Sequence, residues 1–258
     1  MITAITVVLV IISLILHELA HAKAMHKAGI KLELISIGIP CPLKIRFYLP
    51  KLWGGVWLQF TPLLIMAYVK PTQGGMLKLI NLDYKQTADI AGAGPLTNII
   101  FAAILLLIGR LIYEEQNLWL VIWSVPTLVL VSIPIIFFSG RQIISRFVLL
   151  PLGIAATIFL IWGLITTPLE TVTGPVEIWG IISQSTNLGS AMINAGLISL
   201  SIALFNILPI GSLDGGKIIE AIMRRLSKRK MVYGVYQSAT IWLFLALIIF
   251  AIISDFIK

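Results

Sequence analysis

Two histidines four residues apart, with a glutamate between them, are the residues of this sequence best suited to chemistry: His17-Glu18-Leu19-Ala20-His21. On an α-helix, positions i and i+4 lie one above the other, so both imidazoles face the same way. Such a pair supplies two corners of a tetrahedral zinc site. Glu18 then stands where a general base can reach water activated by the metal. The pattern continues an apolar stretch that begins at Ile2, 15 residues before His17. That is about 22 Å of helix against about 30 Å of hydrocarbon, which places the histidines inside a bilayer, near one face. Ionisable groups at that depth are expensive, so they read as functional. His26, the third histidine, follows His21 by five residues. It points about 140° away around the helix and reads as interfacial. The extended zinc-protease pattern would need a histidine where Lys27 stands. Cys41 is the single cysteine, which excludes an internal disulfide and a cysteine-cluster metal site. It reads as a small apolar filler. The third ligand is therefore expected to be a carboxylate.

The elements that must position these groups are membrane helices. Of 258 residues, 59% are hydrophobic and 12% are charged. There are too few charges to coat a soluble core of this size, which excludes disorder, a basic nucleic-acid-binding domain and a conventional cytosolic enzyme. The first apolar stretch runs into polar residues and shows no signal-peptide cleavage site. Six stretches are long and apolar enough to span the bilayer, near 2–24, 92–113, 118–138, 147–166, 190–210 and 232–254. Of the 19 Lys and Arg, 17 fall in the segments that alternate onto one side of this arrangement. The positive-inside rule then puts loops 25–90, 139–146 and 211–231 in the cytoplasm and both termini outside. The site comes out in the cytoplasmic third of the membrane.

Segment 31–70 alternates differently. Leu43, Ile45 and Phe47 interleave with Lys44, Arg46 and Tyr48, and Val56, Leu58 and Phe60 with Trp57, Gln59 and Thr61. A third β-prone run covers 64–69, and prolines and glycines punctuate all three. The expectation is a small antiparallel sheet associated with the membrane. Its apolar edge could hold an extended substrate strand. The fold class is thus an all-α polytopic membrane protein with a small β element, read as one domain over 1–258. The pair 118–138 and 147–166 forms a hydrophobic helical hairpin within 115–166. The basic stretch 217–230 reads as an interfacial helix on anionic lipid.

This topology sorts the carboxylates. Glu114, Glu115, Glu170, Glu177 and Asp255 lie on the wrong side, leaving Glu33, Asp83, Asp89, Asp214 and Glu220. Asp214 is favoured, because it follows a span broken by Pro209 and Gly211, and such a break frees backbone to line a cavity. Asp89 is the alternative, although a charge at a helix N-terminus explains it equally. Asn206 and Asn98 also sit at membrane depth. Either could contact substrate or an oxyanion, or make an interhelical hydrogen bond.

Taken together, His17–His21 and the run Asn206-Ile207-Leu208-Pro209-Ile210-Gly211-Ser212-Leu213-Asp214-Gly215 resemble the two signatures of the site-2 protease family. Four further stretches are similar to the bacterial branch that contains the regulator of sigma-E protease. They are Ile35–Gly38, Ala67–Lys70, Ala91–Asn98 and Thr173–Ile178. The resemblance implies an intramembrane zinc metalloprotease performing regulated intramembrane proteolysis of single-span membrane proteins. It further implies zinc held by His17, His21 and Asp214, Glu18 as the base, and a β element over 31–70 that receives substrate. The sequence departs from that branch in carrying the hairpin 115–166 where PDZ domains are expected, and no C-terminal nucleotide-sensing domain of the kind some relatives carry is expected. Two other readings remain: a transporter or metal-permeation protein, marked by a polar path across the bilayer, and an inactive scaffold, marked by loss of Glu18 or a ligand.

Overall fold

The computed structural model describes residues 2–38, 41–62, 67–113, 179–180, 182–226 and 230–257. In chain order the elements are α1 (Ile2–Lys27), β1 (Leu32–Ile37), β2 (Ile45–Leu49), β3 (Val56–Phe60) and β4 (Ala67–Pro71). They continue with α2 (Gln73–Ile80), α3 (Tyr84–Ile112), α4 (Leu188–Ile207), α5 (Asp214–Leu226) and α6 (Lys230–Ile257). Three of these helices, α1, α3 and α4, are long and apolar enough to cross a membrane. The expected span at 232–254 falls on α6, whose apolar stretch covers Gly234–Phe250. The expected spans 118–138 and 147–166, and with them the hairpin 115–166, lie outside the described residues.

Helix α1 stops where its sequence tells it to. Gly29 takes φ +72, the Gly29 N–H donates to the His26 carbonyl and the Ile30 N–H to the Met25 carbonyl. That is a Schellman ending, with buried Ile30 completing its apolar contact. Helix α3 begins at Tyr84, eight residues before the expected boundary of 92, because the Asp83 side chain caps it by accepting from Gln86 N at 2.7 Å. Gly94 and Pro95 consequently sit inside the helix and do not open it.

Along α3 and α4 the contact is made by small residues. A Cβ on Gly109 would lie 2.9 Å from the Gly189 carbonyl oxygen, and one on Gly196 would lie 2.9 Å from Leu106 Cγ. Ala203 packs on Ile99 further along the same seam. The spacing brings the two backbones together as in other membrane helix pairs with small residues at the interface. Hydrogen bonds tie α1 to this pair. Ser13 Oγ meets Ser199 Oγ at 2.7 Å and donates to Asn98 Oδ1 at 3.3 Å, and Ser199 donates to the Asn98 carbonyl at 3.0 Å.

The β element has four strands in the order β2-β3-β1-β4 and is mixed, not purely antiparallel. β2 pairs antiparallel with β3, and β4 antiparallel with β1, but β1 and β3 run parallel. The β2–β3 hairpin accounts for this: its second strand returns beside β1 in the same direction. The hairpin turns through Trp53, Gly54 and Gly55, all at positive φ. β1 escaped the alternation argument because nearly all of it is buried, leaving no polar face to reveal the period. Ile35, Ile37 and Val56 form a core with Ala22 and Ile90, which seats the sheet against α1 and α3.

The small-residue seam makes a direct prediction. Gly109→Val should lower stability against unfolding in mixed micelles by about 1–3 kcal/mol, the usual cost of overpacking a fixed interface. An unchanged unfolding curve would show that α3 and α4 are not held this closely.

Candidate metal centre

The four groups of the site come from two elements. α1 carries His17, Glu18 and His21 on a buried face, and Asp214 is the first residue of α5. All four are at least 90% withdrawn from solvent. The approach of Asp214 depends on the break after α4. Leu208–Leu213 forms tight turns, and its freed backbone groups find partners on α6. The Tyr236 hydroxyl donates to the Pro209 carbonyl at 2.7 Å, and the Gly211 N–H donates to Thr240 Oγ1 at 2.9 Å. Gly215 and Gly216 lie so close to the backbone of Ile207 and Ile210 that neither could carry a Cβ without displacing it. α5 is thereby folded back, and Asp214 reaches α1.

Three donor atoms converge. His17 Nε2 and His21 Nε2 lie 3.0 Å apart, and Asp214 Oδ2 lies 3.3 Å from the first and 3.1 Å from the second. Donors held about 2.0–2.1 Å from a tetrahedral zinc ion sit about 3.3 Å from one another, so the spacing fits that ion. Two nitrogens and a carboxylate oxygen with no sulfur also suit it. The tautomer of His21 is set: its Nδ1–H donates to the Ile90 carbonyl at 2.7 Å, leaving Nε2 with a lone pair for a metal. His17 Nδ1 is buried and has no hydrogen-bond partner among the described residues. Burial works against an ionised Asp214, but His21 and Lys217 beside it outweigh that and hold its carboxyl well below the ordinary carboxylate range. Lys217 Nζ is 2.9 Å from Asp214 Oδ1.

Gly94 of α3 faces the cluster. A Cβ there would overlap Nε2 of both histidines, so the absence of a side chain is what leaves room for the centre. The cluster lies in the wall of a cavity of about 730 Å³ that is also lined by Glu18, Asn206, Lys217 and the β4 residues Ala67–Val69.

Each expected residue can now be placed. Among the described residues, His17, His21 and Asp214 are the histidine–carboxylate set close enough to share a metal ion. Glu18 joins them in the cavity. Asn206 lines the cavity, with its Nδ2 donating to the Ile202 carbonyl at 3.0 Å. Asn98 does not line it; it is wholly buried in the α1–α3–α4 seam against Ser13. The competing carboxylates stay out of the cluster: Asp89 is exposed and Glu33 pairs with Lys70 at 2.8 Å, while Asp83 and Glu220 line the cavity but are engaged, Asp83 in capping α3 and Glu220 with Arg224 and Gln237. His26 lies against Trp53, with ring centroids 6.2 Å apart, and Cys41 Sγ contacts the Leu43 carbonyl. Sequence reasoning missed Gly94, the Ile90 carbonyl and Lys217. Lys217 was in principle visible, since three residues after Asp214 on a helix is the same face; the other two have no local signal.

A bundle of apolar helices enclosing a His-His-Asp centre beside a small sheet defines a membrane protein of metallopeptidase type. The sequence matches peptidase family M50 over residues 5–251, and the chain belongs to that family, the site-2 protease family. It is similar to the zinc metalloprotease RasP of Shouchella clausii (strain KSM-K16), at 36% identity over 73 residues, 26% of this chain and 18% of that protein. It is also similar to a protein of Chlamydia trachomatis serovar D that carries a zinc-metalloprotease name. That match is 32% identical over 83 residues, 31% of this chain and 13% of the relative. The matched stretches thus cover less than a fifth of either relative's own length.

The clearance at Gly94 yields a test. Gly94→Ala should cut zinc content after equilibration by at least about tenfold while helical content is kept, because the new methyl takes the space of the two Nε2 atoms. Full zinc occupancy in this variant would contradict the placement of the centre against α3.

Proposed function

We propose that this protein is a multi-pass membrane zinc metallopeptidase that hydrolyses peptide bonds within or next to membrane-spanning segments of other proteins. The observation that carries the proposal is the convergence of His17, His21 and Asp214 in one cavity wall with Glu18, a set whose spacing and chemistry suit zinc. Zinc bound there would supply a Lewis acid, polarising the peptide carbonyl and making water a better nucleophile. The remaining work falls to the chain's own residues. Glu18 is at once buried and open to the cavity, where it takes a proton from the attacking water and returns it to the leaving amine. Asn206 has a second amide N–H beyond the one given to Ile202, and directs it at the developing oxyanion. Asn98 holds the helices in register through Ser13 and stays clear of the substrate.

A helical segment shields its peptide bonds, so substrate must unwind and be held extended. β4 is an edge strand of the sheet and lines the cavity with Ala67–Val69. Its outer edge pairs with no other strand among the described residues and is suited to add a substrate strand, with side chains playing little part. The run 55–61, considered for the same purpose in the sequence, is β3, which is paired on both sides. The basic residues of 25–90 and 211–231 support a cytoplasm-facing site, an outward N-terminus and residence in the cell membrane. Regulated proteolysis of single-span proteins is the biological setting we assign.

Two variants test the roles. Glu18→Gln keeps size and hydrogen bonding but removes the base. It should retain zinc while cleavage of a panel of single-span membrane peptides falls at least about a hundredfold. Activity within tenfold of the unsubstituted chain would sink that role. Asp214→Ala should lose both zinc and cleavage, whereas Asp89→Ala should keep both. The reverse pattern, measured as metal per chain on the same samples, would replace Asp214 as the third ligand.

A further inference from the structure

The two oxygens of Asp214 are divided between two different partners. Oδ2 faces the histidine pair, at 3.1 Å from His21 Nε2 and 3.3 Å from His17 Nε2. Oδ1 is 2.9 Å from Lys217 Nζ. An i,i+3 ion pair on a helix surface usually contributes little to stability and needs no further explanation. This one differs because its acceptor is 4% exposed and belongs to the cluster, whereas the lysine side chain is half exposed and lines the cavity. The first turn of α5 is also held in place, since Gly215 and Gly216 sit directly on the backbone of Ile207 and Ile210. The helix therefore sets where the Asp214 carboxylate begins, and Lys217 contacts the oxygen that is turned away from the histidines. Arg224, the other basic residue lining the cavity among the described residues, is occupied with Glu220 and the Ile80 carbonyl.

We infer that Lys217 is a positioning residue for the metal centre: by holding Oδ1 it presents Asp214 as a one-oxygen ligand and keeps the fourth corner open toward the cavity. The inference rests on the metallopeptidase reading above and deepens it. A carboxylate free to rotate can offer both oxygens to one cation, as carboxylates commonly do on larger ions. On a three-residue zinc site the second oxygen would fill the corner that a catalytic centre leaves for water and substrate. Groups that orient a ligand typically change metal affinity or activity by about 10–100-fold when removed. Lys217→Met deletes the ammonium and keeps the length of the side chain, and Lys217→Arg keeps a cation able to reach Oδ1.

The experiment is cobalt substitution of the purified full chain, followed by visible spectroscopy and cleavage of a membrane peptide. Cobalt(II) absorbs strongly when four-coordinate and weakly when a fifth ligand is added, so the spectrum reads the carboxylate mode independently of turnover. The unsubstituted chain and Lys217→Arg should both give the strong four-coordinate spectrum and cleave peptide. Lys217→Met should bind cobalt with the weaker five-coordinate spectrum and cleave about 10–100-fold more slowly. A Lys217→Met protein with the unsubstituted spectrum overturns the inference. So does loss of metal from the Met and Arg variants alike, which would make Lys217 a folding residue. If the unsubstituted chain itself takes up neither cobalt nor zinc, the metallopeptidase reading fails, a result separable from the others because no substitution is involved.

Discussion

A carboxylate and two imidazoles are packed within 3.3 Å of one another in the buried wall of a cavity among apolar helices. Everything else in the structure follows from that arrangement. Withdrawing an ionised carboxylate from water costs several kcal/mol unless it is paired and hydrogen-bonded. Here the pairing comes from His21 and Lys217, and a bound cation would complete it. The cluster also sets a topological demand. Asp214 stands 193 residues from His21 in sequence and must arrive from outside a membrane helix. The breaker-rich run after α4 meets that demand, with Tyr236 of α6 donating and Thr240 of α6 accepting where the helix can no longer bond to itself.

The same centre explains the constraints on α3. Its path takes Gly94 against both histidines and Ile90 to a point where its carbonyl orients His21. Small residues at Gly109, Gly189 and Gly196 let α3 and α4 approach closely enough for this, and Ser13, Asn98 and Ser199 tie α1 into the same seam. The sheet is a second consequence. Its core is seated on α1 and α3, which brings the edge strand β4 to the cavity that contains the centre. Glu18, the His17–His21–Asp214 cluster and the edge strand β4 thus share one enclosure.

Much of this was legible before any coordinates. The spacing of His17 and His21 is a local signal, and the helical period alone says that they share a face. Asp214 was reached by combining a charge count with the helix breakers, and the geometry brings it to the histidines while Asp89, Glu33 and Asp83 stay out of the cluster. The parts that escaped depend on long-range packing. Polarity and membrane depth left Asn98 open between a substrate contact and an interhelical hydrogen bond, and its depth along α3, beyond Gly94, carries it into the helix seam. β1 was hidden because a strand buried on both faces shows no alternation. The parallel β1–β3 pairing follows from the order of the strands, which local patterns do not encode.

The central claim is that His17, His21 and Asp214 hold one zinc ion, and the coordination shell tests it most directly. Zinc X-ray absorption on the purified chain, together with metal stoichiometry, reads ligand type and distance without reference to activity. The account predicts one zinc per chain, two imidazole signatures, and nitrogen and oxygen donors at about 2.0–2.2 Å, with no sulfur. Sulfur scattering at about 2.3 Å would bring Cys41 into the shell and contradict the account, as would a chain that retains no stoichiometric zinc.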